Sequence, residues 1–69
     1  MGKADLVESF DTLERTIAAG LANGLTFGEL TNITGRSQSV LSATASRARE
    51  KVGARTLAHL AAIAARAGL

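Results

Sequence analysis

The 69-residue chain contains neither cysteine nor proline. The lack of cysteine excludes disulfides, thiolate metal sites and cysteine nucleophiles, and it leaves the cytoplasm as the default compartment. No apolar run approaches the roughly 20 residues that a membrane span needs, and the first residues lack the apolar stretch of a signal peptide. The length fits a single domain, and we expect residues 1–69 to form it.

Abundant alanine and leucine, uninterrupted by proline, favour helices, and no segment shows the alternation of β-branched residues that marks a strand. We therefore predict an all-α fold of four helices. The first covers residues 6–23, is capped by Asp5 and turns its acidic side to water. The second begins at Thr26, which forms a capping box with Glu29, and ends at Gly35.

The third predicted helix covers residues 38–52, and the fourth covers residues 57–67 with Thr56 as its N-cap. One stripe of the third helix is apolar and should face the core. Its members are Leu41, Ala45, Ala48 and Val52. The opposite side carries Ser39, Ala43, Ser46, Arg47 and Glu50. We expect that opposite side to be free for a partner.

Charge is distributed unevenly along the chain. The formal net charge is +2 and the isoelectric point is near 10.0, values that are compatible with a polyanionic partner. Acidic residues dominate the first half, whereas in the second half only Glu50 opposes the cations. Those cations are Arg36, Arg47, Arg49, Lys51, Arg55 and Arg66. The second half is therefore the predicted basic surface.

Two helices joined by a tight turn at residues 34–36 are typical of a helix-turn-helix, because Gly35 lets the chain reverse without a Cβ clash. The third helix would then enter the major groove, with polar side chains at base edges and cations at phosphates. The residues predicted to contact DNA are Arg36, Ser37, Ser39, Ser42, Ser46 and Arg47. For Arg47 the alternative is a solvated surface charge.

Three further cations are candidates for phosphate contacts, and each has a local alternative. Arg49 could pair with nearby acids. Lys51 could favour the C-terminal end of its helix through the helix dipole, and Arg55 could cap a helix.

Two segments of the chain carry a family pattern. Residues 24–35 are Gly-Leu-Thr-Phe-Gly-Glu-Leu-Thr-Asn-Ile-Thr-Gly, and residues 51–55 are Lys-Val-Gly-Ala-Arg. They resemble the Gly-Leu-(Ser/Thr)-Asn-x-Glu-Ile-Ala-x-x-Leu-Gly and Lys-Leu-Gly-Val-x segments of LuxR/GerE-type helix-turn-helix domains, and Ser37 matches that family's helix-capping serine. The resemblance runs from Gly24 to Leu69 and implies that the third helix binds DNA. Ser42 stands where the family has a DNA-contacting lysine, which leaves Arg47 and Arg49 to compensate.

The final helix of that family commonly forms the dimer contact, and the small apolar residues of the predicted fourth helix suit close contact between helices. The predicted dimer interface consists of Leu57, Leu60, Ala61 and Ala64. His59, the single histidine, has no cysteine or spaced carboxylate with which to bind a metal. We interpret it as a structural or interfacial residue.

No nucleophile with an adjacent base and no glycine-rich phosphate loop is present, so we expect no enzyme, no cofactor and no metal. The leading hypothesis is a stand-alone, sequence-specific transcriptional regulator, repressor-like in action. As a homodimer it would contact two half-sites of double-stranded DNA about one helical turn apart. The alternative is a small helical adaptor or inhibitor that docks a regulatory protein or RNA polymerase.

Overall fold

The computed structural model of the chain describes residues 6–69. Within that range the regular structure is helical, with four α-helices, one 3₁₀ helix and no strand. The elements are the 3₁₀ helix Val7–Ser9, α1 Thr12–Ala22, α2 Phe27–Thr34, α3 Gln38–Val52 and α4 Leu57–Arg66. The predicted all-α class with four helices is confirmed.

The predicted first helix is wrong in its N-terminal part. The chain forms a 3₁₀ turn, becomes extended at Phe10, and enters α1 only after Asp11. The Asp11 carboxylate accepts a hydrogen bond from the Glu14 N–H, and the Glu14 side chain accepts one from the Asp11 N–H, both at 2.8 Å. This reciprocal capping box places the helix start there. The predicted cap, Asp5, lies outside the described residues.

The boundaries of α2 and α3 agree with the sequence prediction. Thr26 and Glu29 form the expected capping box, and α2 ends at Gly35, whose φ of +71° is left-handed. Ser37 then caps α3 by accepting a hydrogen bond from the Val40 N–H at 3.2 Å. A short turn therefore joins the two helices, as a helix-turn-helix requires.

The core is continuous around α1, which packs against both α3 and α4. The core has two clusters of buried residues, and Leu21 packs against both. The first cluster consists of Ile17, Leu30, Leu41 and Ala45. The second group joins α3 and α4 through Ala48, Val52, Leu60, Ile63 and Ala64, among others. The predicted apolar stripe of α3 is confirmed, because all four of its members are buried.

The predicted dimer interface is wrong at two of its four positions. Leu60 and Ala64 are fully buried inside the single chain, so no second copy can reach them. They complete the core instead, because α4 turns these residues towards α1 and the inner side of α3. Leu57 is partly exposed and Ala61 is half-buried.

Gly20 has a packing role that its position inside a helix hides. A Cβ built on Gly20 would lie 2.5 Å from Leu30 Cδ2, well inside van der Waals contact. Leu30 is itself buried, so its side chain would have to shift to admit that Cβ. The absence of a side chain at Gly20 thus leaves room for the Leu30 side chain to pack against α1.

Candidate nucleic-acid interface

The outer face of α3 is lined by small side chains. Ser39, Ser42, Ala43 and Ser46 are all exposed, whereas the opposite stripe, to which Thr44 also belongs, is buried. The predicted division of this helix into a core side and a free side is therefore confirmed. Arg47 and Glu50, which are also exposed on this side, follow these small residues along the helix. The small side chains let a partner approach closely, and serine hydroxyls can both donate and accept hydrogen bonds.

The N-terminal end of α3 presents polar groups to the surface. Arg36, Ser37 and Gln38 are exposed, and the Arg36 N–H donates to Thr34 Oγ1 at 3.2 Å. In the part of the chain that the structure describes, both ion pairs involve Glu14, so the Arg36 guanidinium pairs with no acid there.

Gln38 is the residue that sequence reasoning missed at this end. Its amide carries both a donor and an acceptor, and its exposed place directly after the helix-capping serine was the available signal. The first residues of such a helix are the ones that reach base edges in helix-turn-helix proteins.

Glu14 is fully buried and holds cations of α3. Its Oε1 accepts hydrogen bonds from Lys51 Nζ at 2.6 Å and from the Asp11 N–H at 2.8 Å. Lys51 Nζ also donates to the carbonyl of Ser9 at 3.0 Å. The expectation that the acidic side of the first helix faces water is therefore wrong at Glu14, because a lysine and a backbone N–H replace the lost water.

Arg47 pairs more loosely with the same carboxylate. Its Nε lies 3.7 Å from Glu14 Oε2, and its Nη2 donates to Thr44 Oγ1 at 3.2 Å. The Arg47 side chain is 53% exposed, against 36% for Lys51. Within residues 6–69, Glu14 Oε2 has no hydrogen-bond partner. Two of the predicted phosphate contacts thus share one buried acid.

Arg49 and Arg55 meet at the connection between α3 and α4. Arg49 is half-buried, and its Nη2 donates a hydrogen bond to the carbonyl oxygen of Arg55. Arg49 is therefore held by a backbone carbonyl rather than by the acids that sequence reasoning considered. Arg55 is exposed, and its N–H donates to Nδ1 of His59 at 3.3 Å. His59 of α4 thus makes a structural contact with this connection.

The predicted DNA contacts consequently fall into two groups. The first group is exposed at the N-terminal end and on the outer face of α3. It consists of Arg36, Ser37, Ser39, Ser42 and Ser46. Arg55 is exposed at the far end of that helix. Arg47, Arg49 and Lys51 are bound within the molecule to different degrees.

An open groove of about 670 Å³ lies away from this face, between α1, α2 and the last residues. Its apolar lining includes Leu25, Leu30, Ile33 and Leu69, and Arg15 stands among the polar lining residues. Ile33 is 63% exposed, so the apolar residues of α2 are only partly buried. A groove of this kind suits an apolar partner.

Comparison with protein-family models, curated proteins and solved structures finds no match to this chain. The resemblance to LuxR/GerE-type domains therefore stays a prediction. Between Leu6 and Leu69, none of the helices has both the length and the apolar character needed to cross a membrane. The same residues contain no cluster of three or more histidine, cysteine, aspartate or glutamate side chains that could hold a metal ion.

Proposed function

We propose that the chain binds double-stranded DNA by placing the outer face of α3 in the major groove. The observation that carries this proposal is the exposed row of small polar residues on a helix that follows a tight turn. A helix must fit within the width of the groove, and small side chains bring its backbone near the base edges. Gln38 and the serines supply the hydrogen-bonding groups at that surface.

The cations around α3 would supply the contacts to phosphates. Arg36 lies at the N-terminal end, where it pairs with no acid among the described residues, and Arg55 is exposed beyond the C-terminal end. Phosphate contacts hold a protein on the duplex independently of sequence, whereas base contacts select the site. Occupation of an operator would make the protein a repressor-like regulator.

Binding of a fluorescently labelled duplex of random sequence, followed by anisotropy at about 50 mM and about 200 mM salt, tests the proposal. We expect affinity that falls steeply with salt. Arg36→Ala should weaken binding, and Ser42→Glu should abolish it because it places a carboxylate inside the negatively charged groove. Arg66→Ala removes an exposed arginine of α4 and serves as the charge-matched control. Absence of binding at the lower salt concentration would show that the proposal is wrong.

A protein-binding adaptor is the second candidate, and two observations favour it. Glu14 pairs with Arg47 and Lys51, which reduces the free positive charge of α3. The groove beside Ile33 offers an apolar surface that DNA binding does not use. The anisotropy experiment separates the two candidates, because a protein partner would leave the free chain without affinity for duplex DNA.

We propose, in addition, that two copies associate through the exposed side of α4. Leu57, Ala58, Ala62 and Ala65 form that side, and Ala61 is half-buried beside them. These small residues permit close contact between two helices, and a twofold pair would present two α3 helices to adjacent half-sites. This surface replaces the predicted interface at Leu60 and Ala64.

A further inference from the structure

We infer that Glu14 acts as an internal counterion that keeps Lys51, and in part Arg47, away from DNA phosphates. This inference rests on the proposed function and states which cations carry the DNA contact. Three of the nine residues proposed from sequence lie on α3 and are cationic: Arg47, Arg49 and Lys51. The structure gives each of them an internal partner.

The Lys51 ammonium group is the most firmly held of these cations. It donates to Glu14 Oε1 at 2.6 Å and to the Ser9 carbonyl at 3.0 Å, so it ties the segment before α1 to the end of α3. The Glu14 side chain is 0% exposed. If Lys51 turned to a phosphate, the carboxylate would remain buried without its closest cation, which is strongly unfavourable.

Arg47 is held less firmly by Glu14 than Lys51 is. Its Nε is 3.7 Å from Glu14 Oε2, beyond hydrogen-bond distance, and about half of its side chain is exposed. A guanidinium has five N–H donors, so Arg47 can keep its bond to Thr44 Oγ1 and still present donors outwards. The negative charge of Glu14 nevertheless weakens its attraction for a phosphate.

Counterion release makes the difference between free cations and internally paired cations measurable. Each phosphate that a protein neutralises steepens the plot of log affinity against log salt concentration by about 0.9. A cation already neutralised by Glu14 displaces no counterion from DNA. The wild-type slope should therefore contain a contribution from Arg36 and none from Lys51.

The test compares these slopes for wild type, Arg36→Gln, Lys51→Gln and Glu14→Gln, with circular dichroism to verify that each variant is folded. We expect Arg36→Gln to reduce the slope by about 0.9 and Lys51→Gln to leave it unchanged. Glu14→Gln retains the shape of the side chain and loses its charge. It should steepen the slope by about 0.9 to 1.8, which corresponds to one or two further phosphate contacts.

A second measurement uses only the wild-type protein, so it does not depend on whether any variant folds. Lys51 and Lys3 are the two lysines of the chain, so peptide mass spectrometry can follow the acetylation rate of each amine separately. Saturation with DNA should leave the Lys51 rate unchanged. Protection of Lys51 by DNA, or a slope that Lys51→Gln reduces as much as Arg36→Gln does, would overturn the inference.

The two proposals fail in different ways. If wild type binds DNA and folded Glu14→Gln binds with the same slope, the inference is wrong and the proposed function stands. If neither protein binds duplex DNA at low salt, the proposed function is wrong and the inference falls with it.

Discussion

The two sides of α3 differ in how their polar groups are used. On the packed side, which faces α1 and α4, Glu14 and Lys51 are joined by short contacts around a buried carboxylate. On the open side, Ser39, Ser42 and Ser46 face solvent. Polar residues of one helix therefore serve different purposes: some hold the helices together, and others are exposed to solvent. Counting the basic residues of α3 therefore overestimates how many of them are free of internal partners.

The same contrast applies to apolar residues. Leu60 was predicted to lie at a dimer interface and completes the core, whereas Ile33, an equally apolar residue of α2, is 63% exposed. Each variant below is therefore compared with a second variant, either at an exposed position or at a matched control position. The measured differences will show whether the division between a packed and an open side is real.

The largest effect is expected for Leu60→Ala. This variant leaves a cavity in a fully packed region, and it should lower the free energy of unfolding by about 2–5 kcal/mol. Ile33→Ala removes a side chain that is mostly in solvent and should cost less than about 1 kcal/mol. Urea unfolding followed by circular dichroism measures both. Equal losses would contradict the assignment of Leu60 to the core and Ile33 to the surface.

An intermediate effect is expected for Gly20→Ala. Alanine normally stabilises a helix interior by about 1 kcal/mol relative to glycine. Here the new methyl group would meet Leu30 at 2.5 Å, so we expect a net loss of roughly 1–3 kcal/mol. Gly28→Ala is the control, because its nearest neighbour would be Thr26 Oγ1 at 3.7 Å. Thermal unfolding should show a lower midpoint for the first variant only, and a stabilised Gly20→Ala would disprove the tight packing of Leu30 against Gly20.

The smallest effect on stability is expected for Ala62→Glu. Ala62 is exposed on α4, so the free energy of unfolding should change by no more than about 0.5 kcal/mol. Sedimentation equilibrium should nevertheless show a shift from dimer to monomer, because the carboxylates of two copies would face each other. Ser42→Glu adds the same charge to α3 and should leave association intact. A wild type that is monomeric at every concentration would rule out the homodimer.

Much of the local structure follows from short-range sequence signals. Thr26 with Glu29, Gly35 and Ser37 predicted the limits of α2 and the start of α3, because capping groups act within a few residues of their own backbone. The signal at the first helix was ambiguous, since apolar periodicity continues through residues that form a 3₁₀ turn. The capping box at Asp11 decided the start of α1.

The candidate site was only partly accessible to such reasoning. The outer face of α3 follows from helical periodicity, since four buried positions define the opposite side. The partners of Arg49 and Lys51 do not, because the acceptors lie on the connection before α4 and near the start of α1. Lys51 Nζ and Glu14 are 37 residues apart in the chain, and no local pattern links them.

The sequence by itself determined the helical class, the turn between α2 and α3, and the side of α3 that remains exposed. These features depend on backbone geometry within one or two helical turns. Only the tertiary structure decided that Leu60 belongs to the core, that Gly20 makes room for Leu30, and that Glu14 pairs with cations of α3. Such properties arise from atoms that folding brings together from distant parts of the chain. Burial decides whether a charge pairs internally or faces solvent, and how much a methyl group contributes to stability.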